Sequence, residues 1–283
     1  MSLTGELLIR LAAFFAVFAA MALWELLAPR RPLGVGRVAR WPSNLGVLVV
    51  DAVAVRLLIP TAAVGVALLA AGHGFGLFHV LELPLWFAAL AGFVALDLVI
   101  YGQHVVFHHV PWLWRLHRMH HADLDIDVST GGRFHPIEIL LSMLIKMATV
   151  GLFGIPVAAV VAFEVALNAT SMFNHSNVTM PAWLDRIARL IVVTPDMHRV
   201  HHSVLRQETD SNFGFNLPWW DRLFGTYRAE PRAGHDGMTI GLPVFRDPGE
   251  LRIDRLLTQP FRKPTDLEAN AQPSVKHQSD NVS

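Results

Sequence analysis

The chain has 283 residues, 53% of them hydrophobic and only 16% charged, with zero formal net charge and a mean hydropathy of +0.40. That balance is too apolar for an ordinary soluble domain and too neutral for a nucleic-acid surface, so it points to a membrane protein with no nucleic-acid partner. Cysteine is absent, which excludes disulfides, thiolate zinc sites and cysteine-ligated iron–sulfur clusters, whereas there are 15 histidines.

Four apolar regions follow in order. The first, about 5–28, is interrupted only by Glu6, Arg10 and Glu25 near its ends. It lacks the basic start of a cleaved signal peptide and is expected to be a retained transmembrane helix. The second, about 44–71, contains Asp51 and Arg56, whose spacing allows an intrahelical pair but not a good one. The third, about 84–103, runs straight into His104. The fourth, about 137–173, is broken by "GLFGIP" at 151–156, where Gly and Pro predict a helical hairpin or a bent pair of helices.

Loop charge sets the expected orientation. Arg30, Arg31, Arg37 and Arg40 fall in the 29–43 loop, whereas the 72–83 connection has no Lys or Arg. The positive-inside rule then places 29–43, 104–136 and everything after about 174 on the cytoplasmic side. Trp24, Trp41, Trp86, Trp112 and Trp114 sit near the expected membrane borders. The fold expected is an all-α integral membrane bundle of about four transmembrane helices, one region hairpin-like, with a His-rich cytosolic helical cap from 104–136 and 174–230. Residues 1–262 form the expected domain and 263–283 a disordered tail.

The histidines are clustered. "RLHRMHH" at 115–121 and "MHRVHHS" at 197–203 repeat one spacing, His-x-x-His-His. On helices, His117, His120 and His121 share a face, as do His198, His201 and His202. His104 and His108 are one turn apart, with Asp97 two turns earlier on the same face. His135 and His175 complete ten imidazoles expected at the cytoplasmic border. His73, His79, His109, His235 and His277 read as isolated polar anchors. Ten clustered imidazoles without a metal would repel one another on protonation, and a metal turns them into ligands. The three helix-spaced sets offer more nitrogens than one tetrahedral ion uses, which points to two metals. No Glu stands inside the motifs as it does in zinc proteases, and triplets do not suit a bis-His haem. Ligands at one border rather than at mid-membrane disfavour a transporter. A redox di-metal centre fits these patterns best, although spacing alone leaves iron and zinc both open.

These residues also carry a resemblance. His-x3-His at 104–108, the two His-x2-His-His motifs, "RFHPIE" (133–138), "FNHSN" (173–177), "TPDMHRVHHS" (194–203) and "ETDSNFGFNLPWWDRLFGTY" (208–227) resemble the fatty acid hydroxylase / sterol desaturase superfamily over roughly residues 90–230. The resemblance implies an integral membrane di-iron oxygenase, multi-pass in a bacterial inner membrane or ER-like membrane. With O2 as co-substrate it would hydroxylate or desaturate an unactivated C–H bond of a fatty acyl, sterol-like or isoprenoid lipid. Carried over by position, the ligands of two Fe ions are His104, His108, His117, His120, His121, His175, His198, His201 and His202. His135 is a further ligand or a partner holding Glu138 or a substrate group. Asp97, Glu138, Asp196, Asp210 and Asn212 are candidates to accept imidazole N–H bonds. Trp219, Trp220 and Phe224 are expected to pack the cap, with Asp221 and Arg222 as a charge pair. No haem or flavin is expected, and no cytochrome b5 signature, Gly-x-Gly-x-x-Gly or Cys is present to carry electrons. A separate donor is therefore implied: a cytochrome b5-like protein, a ferredoxin or a reductase. The rival from another class is a zinc-holding membrane scaffold or metal transporter reusing the fold, which bound-metal analysis separates from the oxygenase.

Overall fold

A computed structural model describes residues 3–264, and among them the regular structure is helical, with only two isolated β-bridges. Five helical spans in that range are long and apolar enough to cross a membrane. Helix α1 (Leu3–Leu27) is the most lipid-like, with Leu7, Leu8, Phe15 and Leu23 all exposed. Helix α2 (Arg37–Leu58) buries a stripe of Arg40, Asn44, Val47 and Asp51, close to helical periodicity. It breaks at Pro60 and resumes as α3 (Ala62–His73), whose Ala63, Ala67 and Ala70 pack inward. Next come α4 (Leu85–His109), α5 (Pro111–His121), α6 (Pro136–Phe153) and α7 (Val157–His175). The short α8 (Pro195–His201) follows in the cap.

The fourth apolar region is the hairpin that "GLFGIP" predicts. Helix α6 ends on Gly154, which takes a left-handed φ of 68°, and α7 starts after Pro156. A Cβ on Gly76 would lie 2.3 Å from the Gly154 nitrogen, so glycine is needed where the α3 exit crosses this turn. At this end Ala63, Ala67, Phe78, Leu96, Val150, Ile155 and Phe163 form the main apolar core. One charge cluster inside the bundle is paired: Glu164 of α7 meets Arg10 of α1 at 2.5 Å and Lys146 of α6 at 3.0 Å.

The opposite end is polar. Helices α1, α4 and α7 run toward it, and the α2–α3 leg and α6 run away, since Glu25, His108 and His175 end the first set while Arg40 and Glu138 begin the second. Two expectations change here. Helix α2 begins at Arg37, inside the expected 29–43 loop, because Arg40 is fully buried against Asp123 and Asp127. Asp51 and Arg56 do not pair: Arg56 donates to the Pro60 carbonyl, and both Asp51 oxygens are buried without a hydrogen-bond partner. From residue 265 onward, the expected tail lies outside the described residues.

Candidate metal centre

Four segments deliver imidazoles to one place. Helix α4 brings His104 and His108 at its last turns, and α5 brings His117, His120 and His121. Helix α7 ends on His175, α8 carries His198 and His201, and His202 caps it. All nine are buried. They fall into two groups, His104, His108, His117, His121 and His201, and His120, His175, His198 and His202, with the ligand atoms of each group within 4.8 Å of one another.

The grouping divides the single face that each triplet occupies. In His-x-x-His-His the first and last residues lie about 40° apart around the helix, and the middle one about 100° from the last. His117 and His121 accordingly join one group and His120 the other. The second motif divides the same way, with His198 and His202 together and His201 apart. Each motif therefore spans both groups and fixes their separation.

Hydrogen bonds fix the tautomers. Nδ1 of His104, His120, His175 and His201 donates to the carbonyls of Phe213, Arg133, Ser171 and Ser211 at 2.7, 3.1, 2.7 and 2.7 Å. A carbonyl only accepts, so each Nδ1 carries the proton and each neutral Nε2 presents a bare lone pair. Those of His120 and His175 face each other, and those of His104 and His175 also lie against a further imidazole nitrogen. The Nε2–Nε2 separation is 3.1 Å for His120–His175, 3.0 Å for His104–His117 and 3.1 Å for His175–His198. Nε2 of His108, His201 and His202 is buried with no partner.

Between His120 and His175, whose Nδ1 protons both go to carbonyls, no proton bridges the Nε2 atoms. Burial pushes His117 down to about 3 and holds His120, His121, His198, His201 and His202 well below the ordinary imidazole value, and neighbouring imidazoles add to the effect for those five. Two such lone pairs at hydrogen-bond distance are repulsive, and a cation between them removes the repulsion; in the other group His104 and His201 offer bare Nε2 atoms of the same kind. The donor set, all imidazole nitrogen, fits a divalent first-row metal.

The surrounding candidates separate. Glu138 accepts from His117 Nδ1 at 2.7 Å, and Asp210 lies 3.3 Å from His108 Nδ1. Asp97 instead accepts from Asn216, Leu217 and the Trp220 indole. Asp196 pairs with Arg30 and Arg199, and Asn212 staples the Met197 and Arg228 backbone from a φ of 52°. His135 lies outside both groups: its Nδ1 caps α6 by accepting from Ile137 N–H, and its Nε2 donates to the Leu257 carbonyl. Of the expected packing residues, Trp220 is tied to Asp97, while Trp219 and Phe224 are exposed. Asp221 does not pair with Arg222; it accepts from the Phe213 and Gly214 N–H groups, and Arg222 donates to the Arg189 carbonyl.

Sequence reasoning missed the carbonyl anchors and the residues that hold them. Asp221 fixes Phe213, whose carbonyl orients His104. Arg40 holds Asp123 and Asp127 ahead of Arg133, whose carbonyl orients His120. Aromatic rings close the site: Phe134 stacks on His120 at 4.3 Å, Phe213 packs against His108 and His201, and Trp114 against His108.

Comparison with known proteins adds an independent line. A family model described as fatty acid hydroxylase matches residues 89–226, the stretch that contains all nine imidazoles. Ornithine lipid hydroxylase OlsE of Rhizobium tropici is 33% identical over 150 residues, covering 53% of this chain and 44% of the relative. Alkylglycerol monooxygenase of Homo sapiens is 31% identical over 163 residues, 56% of this chain and 34% of the relative. Cholesterol 25-hydroxylase of Homo sapiens is 27% identical over 134 residues, 47% of this chain and 48% of the relative. The matched stretch spans less than half the length of these relatives. No solved structure matches. Residues 89–226 thus match a fatty acid hydroxylase domain, set among the apolar spans of an integral membrane protein.

Proposed function

We propose that this chain is a di-iron lipid oxygenase that hydroxylates or desaturates an unactivated C–H bond, with O2 as co-substrate and electrons from a separate donor. The observation that carries the reading is the gathering of nine buried imidazoles into two groups, five in one and four in the other, with the bare Nε2 atoms of His120 and His175 facing at 3.1 Å. Two ferrous ions held there supply O2 reduction and C–H oxidation when bound. His104, His108, His117, His121 and His201 would hold one, and His120, His175, His198 and His202 the other. Everything else is the work of the chain. The carbonyl anchors keep Nε2 directed inward, Glu138 keeps the His117 Nδ1 proton in place, and Phe134, Phe213 and Trp114 exclude water. Helices α4, α6 and α7 lead from the apolar core to these groups, which suits a fatty acyl, sterol-like or isoprenoid substrate entering from the bilayer.

The His-rich end lies on the cytoplasmic side in this reading, where a cytochrome b5-like protein, ferredoxin or reductase can dock. The names of the relatives favour a hydroxylase over a zinc scaffold or transporter: all three act on lipids by hydroxylation or monooxygenation. The test is metal analysis after iron-supplemented expression, with lipid products followed under O2 and a donor system. About two irons per chain with O2-dependent lipid product are expected. One tight zinc with no O2 consumption overturns the proposal.

A further inference from the structure

Two cavities lie in line along the seam between α1 and α2, and neither belongs to the imidazole groups. The first, of about 390 Å³, opens at the His-rich end beside Arg31, Arg37, Glu25, Asn177, Leu26 and Leu33. Leu26 is 65% exposed and Val38, next to Arg37, is 91% exposed, so the mouth adjoins the lipid-facing flank. Its charge is unbalanced. The Glu25 carboxylate already accepts from Val128 N–H at 2.7 Å and Asn177 N–H at 2.9 Å, with Arg37 at 3.4 Å. Arg37 Nε is buried without a partner, and the Arg31 guanidinium is held in position by the His235 and Met238 carbonyls. Two arginines and one carboxylate line the cavity, and the carboxylate oxygens are already engaged, so the cavity is suited to an anion.

The second cavity lies about 10 Å deeper by helix rise, from Glu25 to Phe18. It is a narrow slot of about 20 Å³ between Phe14 and Phe18 of α1 and Leu45 and Leu48 of α2, with Ser129 and Asn168 also on its walls. That volume is too small for an acyl chain unless the Phe14 and Phe18 rings, stacked at 6.0 Å, move apart. Gly132 in the floor keeps the slot from closing: a Cβ there would lie 3.3 Å from Leu48. The floor backs onto the metal centre. Gly131 and Met172 line it, the Ser171 hydroxyl bonds the Gly131 carbonyl, and the Ser171 carbonyl orients His175.

We propose that this seam seats one bilayer lipid with an anionic headgroup, its phosphate or carboxylate on Arg31 and Arg37 and its acyl chain between Phe14, Phe18, Leu45 and Leu48. The assignment of that lipid as the substrate rests on the oxygenase reading, whereas the binding site does not.

The probe is a fluorescent phosphatidylglycerol, compared with its phosphatidylcholine counterpart, bound to the purified full chain in nanodiscs. Phosphatidylglycerol is expected to bind about tenfold more tightly, a difference of one charged contact, and the preference is expected to vanish in Arg31→Gln/Arg37→Gln. Leu48→Trp should weaken both lipids alike, and it keeps the test open if the arginine variant does not fold. Equal binding of the two lipids by the natural chain overturns the proposal, as does an unchanged preference in a folded arginine variant. Competition by inorganic phosphate at the affinity of the lipid also overturns it, because the site would then take a free anion. The two readings fail separately. A seam that selects phosphatidylglycerol in a chain with no O2-dependent product leaves the lipid site and removes the oxygenase. Normal lipid oxidation by the arginine variant, with no headgroup preference in the natural chain, does the reverse.

Discussion

Replacing Arg40 with Met tests whether the metal centre is held from α2. Arg40 is completely buried, donating to Asp123 from Nε at 2.7 Å and Nη2 at 2.8 Å and to Asp127 from Nη1 at 2.6 Å. It also reaches the Asp125 carbonyl and Thr130 at 3.0 Å each. Together with Arg133, this guanidinium holds the Asp123 carboxyl below the usual carboxylate range. Removing one side of a buried pair of this kind costs about 3–5 kcal/mol, because the carboxylates stay buried and lose their counter-charge. Asp123 keeps Asn44, Thr130 and a more distant Arg133, and Asp127 keeps Trp41, so the lower part of that range applies. The apparent Tm in one detergent should fall by roughly 10 °C. Arg40→Met/Asp123→Asn should recover part of that loss, and the coupling in the cycle should reach about 2 kcal/mol. Iron content should fall as well, since Asp123 follows His121 by two residues and the adjoining Arg133 carbonyl orients His120. A Tm shift under about 2 °C, or strictly additive costs, would refute the argument that this network is a loaded, mutually dependent unit.

Three further outcomes follow from the same geometry. Metal-stripped protein should lose stability as the pH falls below the ordinary imidazole value of 6.5, because unfolded histidines take up protons that the buried ones refuse. His117, at about 3 when folded, contributes about 2 kcal/mol of loss at pH 5, and an equal Tm at pH 7.5 and 5 contradicts this. His135→Ala should leave iron content intact and cost about 1 kcal/mol through the lost α6 cap, so a drop in iron would return His135 to the ligand set. Glu138→Gln should weaken metal retention about 10–100-fold by loosening the His117 tautomer, measured by chelator competition, and unchanged retention would remove Glu138 from the centre.

The ligand types and their spacing were legible in the chain because helix periodicity is local. His104 and His108, or the ends of each His-x-x-His-His, lie on one face by counting alone. What counting misses is where the face points. Asp97 shares a stripe with His104, yet neighbouring segments divide that stripe, and the 216–220 loop takes Asp97 while the imidazoles take His104. Asp196, two residues before His198, points away from it as residues two apart on a helix do, and meets Arg30 and Arg199 instead. The anchors of the imidazoles were not legible for a different reason. Backbone carbonyls belong to every residue, so nothing in the side chains of Phe213, Arg133, Ser171 or Ser211 marks them out. Arg40 shows the opposite failure: its charge was plain, and it suggested a cytoplasmic loop, because its partners Asp123 and Asp127 lie more than eighty residues away. A buried arginine and an interfacial one are identical in sequence and are distinguished only by what the fold brings to them. The same holds for the metal centre as a whole. Its nine donors were legible singly, but their division into five and four arises from the angle between the middle and outer histidines of each motif, which sets both groups at once.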